Sequence, residues 1–232
     1  EVRPTIMTAV PRLFELLHQR IMAGLRKQPK WRQWLFARAE TLGRRKLAGK
    51  RLDPLSWLQD RLLERMVRAK VRGRFGGRLK GMVSGGAALS PELGRTFIAL
   101  GLRVIQGYGQ TEAAPIVAFN PPGRVKMDTV GKPLPGVTVA LAPDNELLVK
   151  GPNVMKGYWN LPEHTAGTIR DGWLYTGDLA RIDDEGYIAI TDRKKDIVVL
   201  SSGDTLSPAR VENALTRQPE VANDLRSTLI IA

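Results

Sequence analysis

Residues 79–112 read LKGMVSGGAALSPELGRTFIALGLRVIQGYGQTE, and the order of textures in that stretch decides the fold. Residues 79–84 form a short apolar run suited to a buried strand, broken by Gly85-Gly86-Ala87-Ala88. Ser90 then stands as a helix N-cap before Pro91 in the first helical position, and Gly101 closes the helix. Residues 102–106 are the next strand. Strand, helix and strand within about thirty residues make a βαβ unit, which demands parallel strands and a right-handed crossover. Ligands in α/β folds sit in loops at the carboxyl ends of such strands. Both glycine-rich segments, residues 85–88 and 107–112, fall there.

Toward the N-terminus, residues 4–10 predict another short strand, stopped by Pro11. From Arg12 onward, Leu13, Leu16, Leu17, Ile21 and Leu25 recur at three- and four-residue steps. That spacing predicts an amphipathic helix, with Pro29 beyond its end. Residues 30–50 and 54–74 predict two more helices, rich in Arg and Lys. Trp31, Trp34, Leu35 and Leu42 supply the apolar stripe of the first. Leu55, Leu58, Leu62, Leu63, Met66 and Val67 supply that of the second. Trp and Leu interleaved with Arg suit a helix at a lipid interface, and equally a basic helix with one packed face.

Beyond the βαβ unit, residues 130–192 change character. Short alternating runs at 137–141, 146–150 and 187–191 are separated by Pro135-Gly136, Pro143-Asp144-Asn145 and Asp184-Glu185-Gly186. This predicts an antiparallel β section. A polar stretch, Arg193-Lys194-Lys195-Asp196, then leads to an apolar run at 197–200, a turn at 201–204 and a helix over 207–215.

The 232 residues are 43% hydrophobic and 25% charged, which fits a globular chain and excludes wholesale disorder. No run of eighteen apolar residues is present to make a membrane span. The opening Glu1-Val2-Arg3-Pro4 is no signal peptide and reads as the start of a fragment. Without cysteine there is no disulfide framework, thiolate nucleophile or Cys-ligated zinc, which fits a cytoplasmic protein. His18 and His164 are the two histidines, too few for a His-rich metal site. The net charge of +13 is uneven: residues 1–80 carry 21 Lys and Arg against 6 Asp and Glu, a net of +15. Such a block could contact nucleic acid, an anionic membrane or an acidic partner, or be solvated helix surface.

Generic nucleotide motifs are absent: there is no Walker A loop, no Gly-x-Gly-x-x-Gly and no Gly-x-Ser-x-Gly elbow. Two loops nevertheless carry suitable chemistry. In Tyr108-Gly109-Gln110-Thr111-Glu112 a hydroxyl beside a carboxylate could hold a phosphate and its Mg²⁺. In Thr176-Gly177-Asp178, read as a turn after aromatic residues, a carboxylate could accept two vicinal sugar hydroxyls.

The order of motifs is more specific than any one of them. Gly85-Gly86-Ala87-Ala88-Leu89 comes first, followed by Gly107-Tyr108-Gly109-Gln110-Thr111-Glu112 and Gly157-Tyr158-Trp159. Next come Asp171-Gly172-Trp173-Leu174-Tyr175-Thr176-Gly177-Asp178, Asp192-Arg193-Lys194-Lys195-Asp196, and Ser207-Pro208 with Val211-Glu212. This series resembles the adenylate-forming superfamily, nearest its bacterial long-chain fatty acid CoA ligases (AMP-forming acyl-CoA synthetases), over essentially the whole chain. The resemblance implies an α/β fold with a parallel βαβ sheet layer and an antiparallel β subdomain. Residues 1–193 would be the C-terminal part of the large adenylation domain, with a basic helical insertion at 30–74 and the β subdomain at 130–192. Residues 194–232 would be the hinge and the truncated start of a small α+β C-terminal domain.

The resemblance also implies site residues. Gly86, Ala87 and Ala88 would wall the adenine site, and Tyr108, beside Gly109, would stack on the base. Thr111 would hold the α-phosphate, and Glu112 would bind Mg²⁺. Asp178 would accept both ribose hydroxyls, assisted by Arg193. Lys195 would be the hinge, and Gly203 would line the channel for coenzyme A. The implied substrates are a fatty acid, ATP and CoA, with acyl-AMP as intermediate and AMP and pyrophosphate released. The family's upstream phosphate loop and C-terminal lysine are expected outside residues 1–232, so this chain alone is expected to be inactive. The connection from Pro219 to Arg226 is shorter than the family's. Residues 30–74 are expected to contact an anionic membrane peripherally, with nucleic acid disfavoured. The alternatives are a fatty acyl-AMP ligase serving a carrier protein, and a non-catalytic basic surface-binding module.

Overall fold

The computed structural model describes residues 3–196, together with the backbone of Val198–Val199 and Thr205–Leu206. Two compact units form: Glu1–Thr138 with Gly151–Lys156 and Ile182–Ala189, and Val139–Lys150 with Gly157–Arg181 and Ile190–Ala232.

In the first unit, β1 (Ile6–Ala9), β2 (Gly81–Ser84) and β3 (Val104–Tyr108) run parallel, with Met7 opposite Met82 and Met82 opposite Val104. The short strands β4 (Ala118–Phe119) and β5 (Lys132–Pro133) extend this sheet antiparallel beyond β3. The expected βαβ unit is therefore present, with α5 (Pro91–Ala99) between β2 and β3. Ser90 precedes that helix without a side-chain capping bond, so Pro91, with its preset φ, is what marks the start. Met82 and Val104 from the sheet, Phe97 from α5, Leu100 just after it, and Phe14 belong to the core. Phe14 and Phe97 meet edge to face with centroids 5.5 Å apart.

The connection from β1 to β2 is helical: α1 (Pro11–Arg26), α2 (Lys30–Leu47), α3 (Pro54–Leu63), a π-helical turn at Glu64–Arg68 and α4 (Ala69–Gly73). Two details depart from the sequence reading. The helix expected over 54–74 is interrupted by the π turn. The expected stripe holds only in part: Leu63 and Val67 pack inward, but Leu55, Leu58 and Leu62 of α3 and Met66 of the π turn are exposed, whereas Ser56 and Asp60 are buried. Trp31 and Trp34 are likewise exposed, at 55% and 60%, so of the expected α2 stripe Leu35 and Leu42 pack, together with Phe36 and Ala39.

The reason is a charge network under the helices. Arg68 is buried; its Nε donates to the Ala99 carbonyl and its Nη2 to that of Ala39, both at 2.8 Å. Its Nη1 lies 2.7 Å from Asp60 Oδ1, and Lys46 Nζ reaches Asp60 Oδ2 at 2.9 Å. Burial works to raise the Asp60 carboxyl, but the bonds from Lys46 and Arg68 outweigh it and hold the group below its usual range. A buried carboxylate needs such partners, and the network draws the polar line of α3 inward.

His18 on α1 is half-buried, and burial lowers its imidazole from the ordinary 6.5, with Glu40 opposing. The unfolded chain then takes up this proton at a higher pH than the folded one. The stabilisation is complete above 6.5 and is lost as pH falls through the lowered folded value. Thermal melts below pH 6.5 should therefore fall more steeply with acid for the wild type than for His18→Gln. Equal slopes would contradict this.

The second unit carries most of an antiparallel sheet ordered β10 (Ile188–Arg193), β9 (Trp173–Ile182), β7 (Glu146–Lys150), β6 (Thr138–Leu141). Helix α6 (Pro162–Thr168) leads into β8 (Ile169–Arg170), which pairs with β9. The antiparallel section was expected; β9 was not, because its motif reads as a loop. Leu174, Thr176, Asp178 and Ala180 alternate inward, but two of the four are polar. Gly177 at φ +72° marks a bulge, with the β7–β9 register shifting between Glu146 and Leu148. Asp178 therefore lies inside a strand rather than in a turn. The backbone of β11 (Val198–Val199) pairs antiparallel with that of β12 (Thr205–Leu206). The helix expected over 207–215 lies outside the described residues. Among those described, no helix is long and apolar enough to cross a membrane.

Candidate active site

In the first unit the candidate residues stand at the carboxyl ends of two neighbouring strands. Gly86, Ala87 and Ala88 follow β2 and are exposed, and Tyr108 ends β3. The chain then doubles back on itself: Val117 N donates to the Tyr108 carbonyl at 2.9 Å. At Gly109 any Cβ would sit 1.8 Å from the Pro115 carbonyl oxygen and 2.8 Å from Ile116 Cα. These are backbone atoms that cannot swing aside. Gly109→Ala should cost about 1–3 kcal/mol of stability, as overpacking does. An unchanged urea midpoint would contradict so close an approach.

Thr111 and Glu112 open a 3₁₀ turn, Thr111–Ala113, closed by Ala114 in a left-handed conformation at φ 37°. Thr111 is exposed and Glu112 half-buried. Residues 151–156 brace this turn. Met155 N donates to the Glu112 carbonyl at 2.8 Å, while Asn153 Nδ2 donates to the carbonyls of Ala113 at 3.2 Å and Ile116 at 3.0 Å. Asn153 was not singled out in the sequence, since a side chain serving distant carbonyls leaves no local pattern.

In the second unit the structure brings Asp178 and Arg193 together, Arg193 Nε donating to Asp178 Oδ1 at 3.0 Å. Asp178 is buried on β9, and Arg193 at the end of β10 is exposed. The Asp178 amide donates to Thr176 Oγ1 at 3.1 Å, and that hydroxyl donates to the Leu147 carbonyl at 2.7 Å. Two further residues support this strand and were missed. Buried Glu146 accepts from the Gly177 amide at 2.8 Å and from Lys194 Nζ at 2.9 Å. Lys194 also pairs with Asp144 at 2.5 Å. That bond, then the one to Glu146, raises the Lys194 ammonium above its usual value; the same bond lowers Asp144. The available signal was Glu146 itself, an acidic residue in an inward register of an apolar run.

Lys195 is exposed on the short turn Lys194–Asp196. Gly203 lies outside the described residues. His164 is exposed on α6. Among the described residues no three His, Cys, Asp or Glu side chains gather to hold a metal ion. Glu112, next to Thr111 in the chain, carries a carboxylate, the type of ligand that Mg²⁺ takes once or twice together with substrate phosphates.

Residues 1–159 match the profile of the AMP-binding enzyme family. The chain belongs to that family. Its relatives include the long-chain-fatty-acid–CoA ligase FadD15 of Mycobacterium bovis, 36% identical over 222 residues that cover 95% of this chain and 37% of that protein. A long-chain-fatty-acid–CoA ligase of Bacillus subtilis is 42% identical over 146 residues, 57% of this chain and 26% of that protein. Among solved structures, ATP-bound MatB from Rhodopseudomonas palustris superposes with a TM-score of 0.63 at 28% identity, over 94% of this chain and 36% of MatB. This AMP-binding chain thus spans 37% of the length of FadD15.

Proposed function

We propose that this chain is a segment of an ATP-dependent long-chain fatty acid CoA ligase, which activates a fatty carboxylate as acyl-AMP and passes it to CoA. The observation that carries this reading is the 36% identity to a long-chain-fatty-acid–CoA ligase, sustained over 222 residues. The difficulty of the first step is the approach of two anions, carboxylate and α-phosphate, so positioning and charge neutralisation do most of the work. Gly86, Ala87 and Ala88, lacking bulk, let the backbone approach a base, on which the Tyr108 ring stacks. Thr111 donates its hydroxyl to the α-phosphate, and Glu112 holds Mg²⁺, which when bound offsets phosphate charge. Asp178 accepts the two ribose hydroxyls, with Arg193 orienting the carboxylate. Gly203 belongs to the CoA channel in this reading.

Lys195 serves as the hinge between adenylation and thioester formation. Lys195→Pro should spare adenylation more than thioester formation, because fixing φ obstructs rotation without touching substrate. Equal loss of both half-reactions would contradict that role. Contact of residues 30–74 with anionic membrane belongs to the same reading. It is supported by exposed Trp31, Trp34 and Trp57 beside basic side chains, and salt-sensitive co-sedimentation with anionic vesicles tests it. The proposed reaction is tested by incubating the complete protein with ATP, Mg²⁺, hexadecanoate and CoA, and identifying products by mass spectrometry. Hexadecanoyl-CoA with AMP is expected; acyl-AMP accumulating with no thioester would make the protein an acyl-AMP ligase instead.

A further inference from the structure

The helical connection encloses a cleft of about 480 Å³ between α1, α2 and the segment running through the π turn into α4. None of the residues assigned to nucleotide lines it. Ile21, Leu25, Leu35, Met66, Val71 and Phe75 supply apolar walls. Four cations, Arg20, Arg32, Lys70 and Arg74, also line it, and no acidic residue does. Arg20, Lys70 and Arg74 have no carboxylate partner among the described residues, while the Arg32 guanidinium lies 5.0 Å from the centre of the Trp31 ring and donates to Gln28 at 2.8 Å.

A volume of this size lies in the range of small-molecule sites, roughly 300–1,000 Å³. Apolar walls exclude a purely polar anion such as free phosphate, which would gain nothing from them. Uncompensated cations exclude a neutral hydrocarbon as the best occupant. The combination matches one alkyl chain bearing one anionic head, the head paired with guanidinium or ammonium groups. We propose that this cleft binds a long-chain fatty carboxylate at a site separate from the catalytic one.

Binding here does not depend on the proposed reaction, and the experiment keeps the two apart. The complete protein is photolabelled with a 16-carbon fatty acid carrying a mid-chain diazirine, its catalytic site filled by hexadecanoyl-sulfamoyl-adenosine, and labelled peptides are mapped. Saturable labelling within residues 17–36 and 66–75 is expected, competed by hexadecanoate and far less by hexadecanol. Gly24 lines the cleft, and a Cβ added there meets nothing within 4 Å, so Gly24→Leu should fill space without strain. That variant, and separately Arg20→Glu with Lys70→Glu on exposed positions, should each lower labelling affinity about tenfold, a difference of about 1.4 kcal/mol. Circular dichroism of both variants should match the wild type.

Labelling confined to other peptides, or unaffected by both variants, would overturn the proposal. So would equal competition by hexadecanol, protection of the cleft by a second copy of the chain, or labelling that requires anionic vesicles. If the sulfamoyl analogue changes nothing anywhere while cleft labelling persists, it is the reaction assignment that fails, not the cleft.

Discussion

Replacing Asp178 by alanine in the complete protein is expected to raise the Kd for ATP a hundredfold or more. Two hydrogen bonds from ribose hydroxyls to an ionised carboxylate contribute roughly 1.5–3 kcal/mol each, and even the lower value, counted twice, corresponds to about a hundredfold. The fold should tolerate the change. Arg193, the cation that Asp178 pairs with, has a side chain 58% exposed and can turn to water. Isothermal titration with ATP, alongside a melting curve, separates the two effects. An unchanged Kd would remove Asp178 from the nucleotide site, whereas a collapsed melt would assign it to β9 alone.

Arg68→Met should show the opposite pattern, a large loss of stability from a residue that touches no proposed substrate. Its removal leaves Asp60, 9% exposed at the side chain, without its closest cation, and takes the guanidinium N–H groups from the Ala39 and Ala99 carbonyls. Breaking a buried pair from one side costs about 3–5 kcal/mol. For a chain of this size each kcal/mol shifts the melting temperature by roughly 2–4 °C, so a fall of about 10 °C is expected. Adding Asp60→Leu should recover much of it, because the stranded charge goes too. A single variant melting with the wild type would mean that the network does not hold α3 and α4 against α2 and α5.

The parts of this fold that follow local rules were legible in the sequence. The βαβ unit is written in two apolar runs, a Pro91 helix start and glycine-rich loops, and the structure has it where expected. The helices of the basic third follow from their periodicity. What periodicity could not supply was the direction of α3, because polar Ser56 and Asp60 face inward to meet Arg68 and Lys46, partners distant in sequence. Strand β9 was hidden for the same reason: Thr176 and Asp178 occupy core positions that apolar residues normally fill. Among the candidate site residues, Asp178 and Arg193 stand fifteen positions apart and meet through strand pairing, which spacing alone does not encode. Glu146 and Asn153 bond remote backbone and Lys194 bonds the carboxylates of Glu146 and Asp144; of these only Glu146, acidic in an inward register, left a local signal. Local signals name elements; long-range polar contacts decide how they face.

In the proposed function, Tyr108, Thr111, Glu112, Asp178 and Arg193 serve a fatty-acid-dependent adenylation. Exchange of labelled pyrophosphate into ATP by the complete protein isolates that step, since it needs no CoA. Exchange is expected to require hexadecanoate and Mg²⁺ and to fall to background in the Asp178→Ala protein. Exchange without any fatty acid, or full exchange in Asp178→Ala, would contradict it.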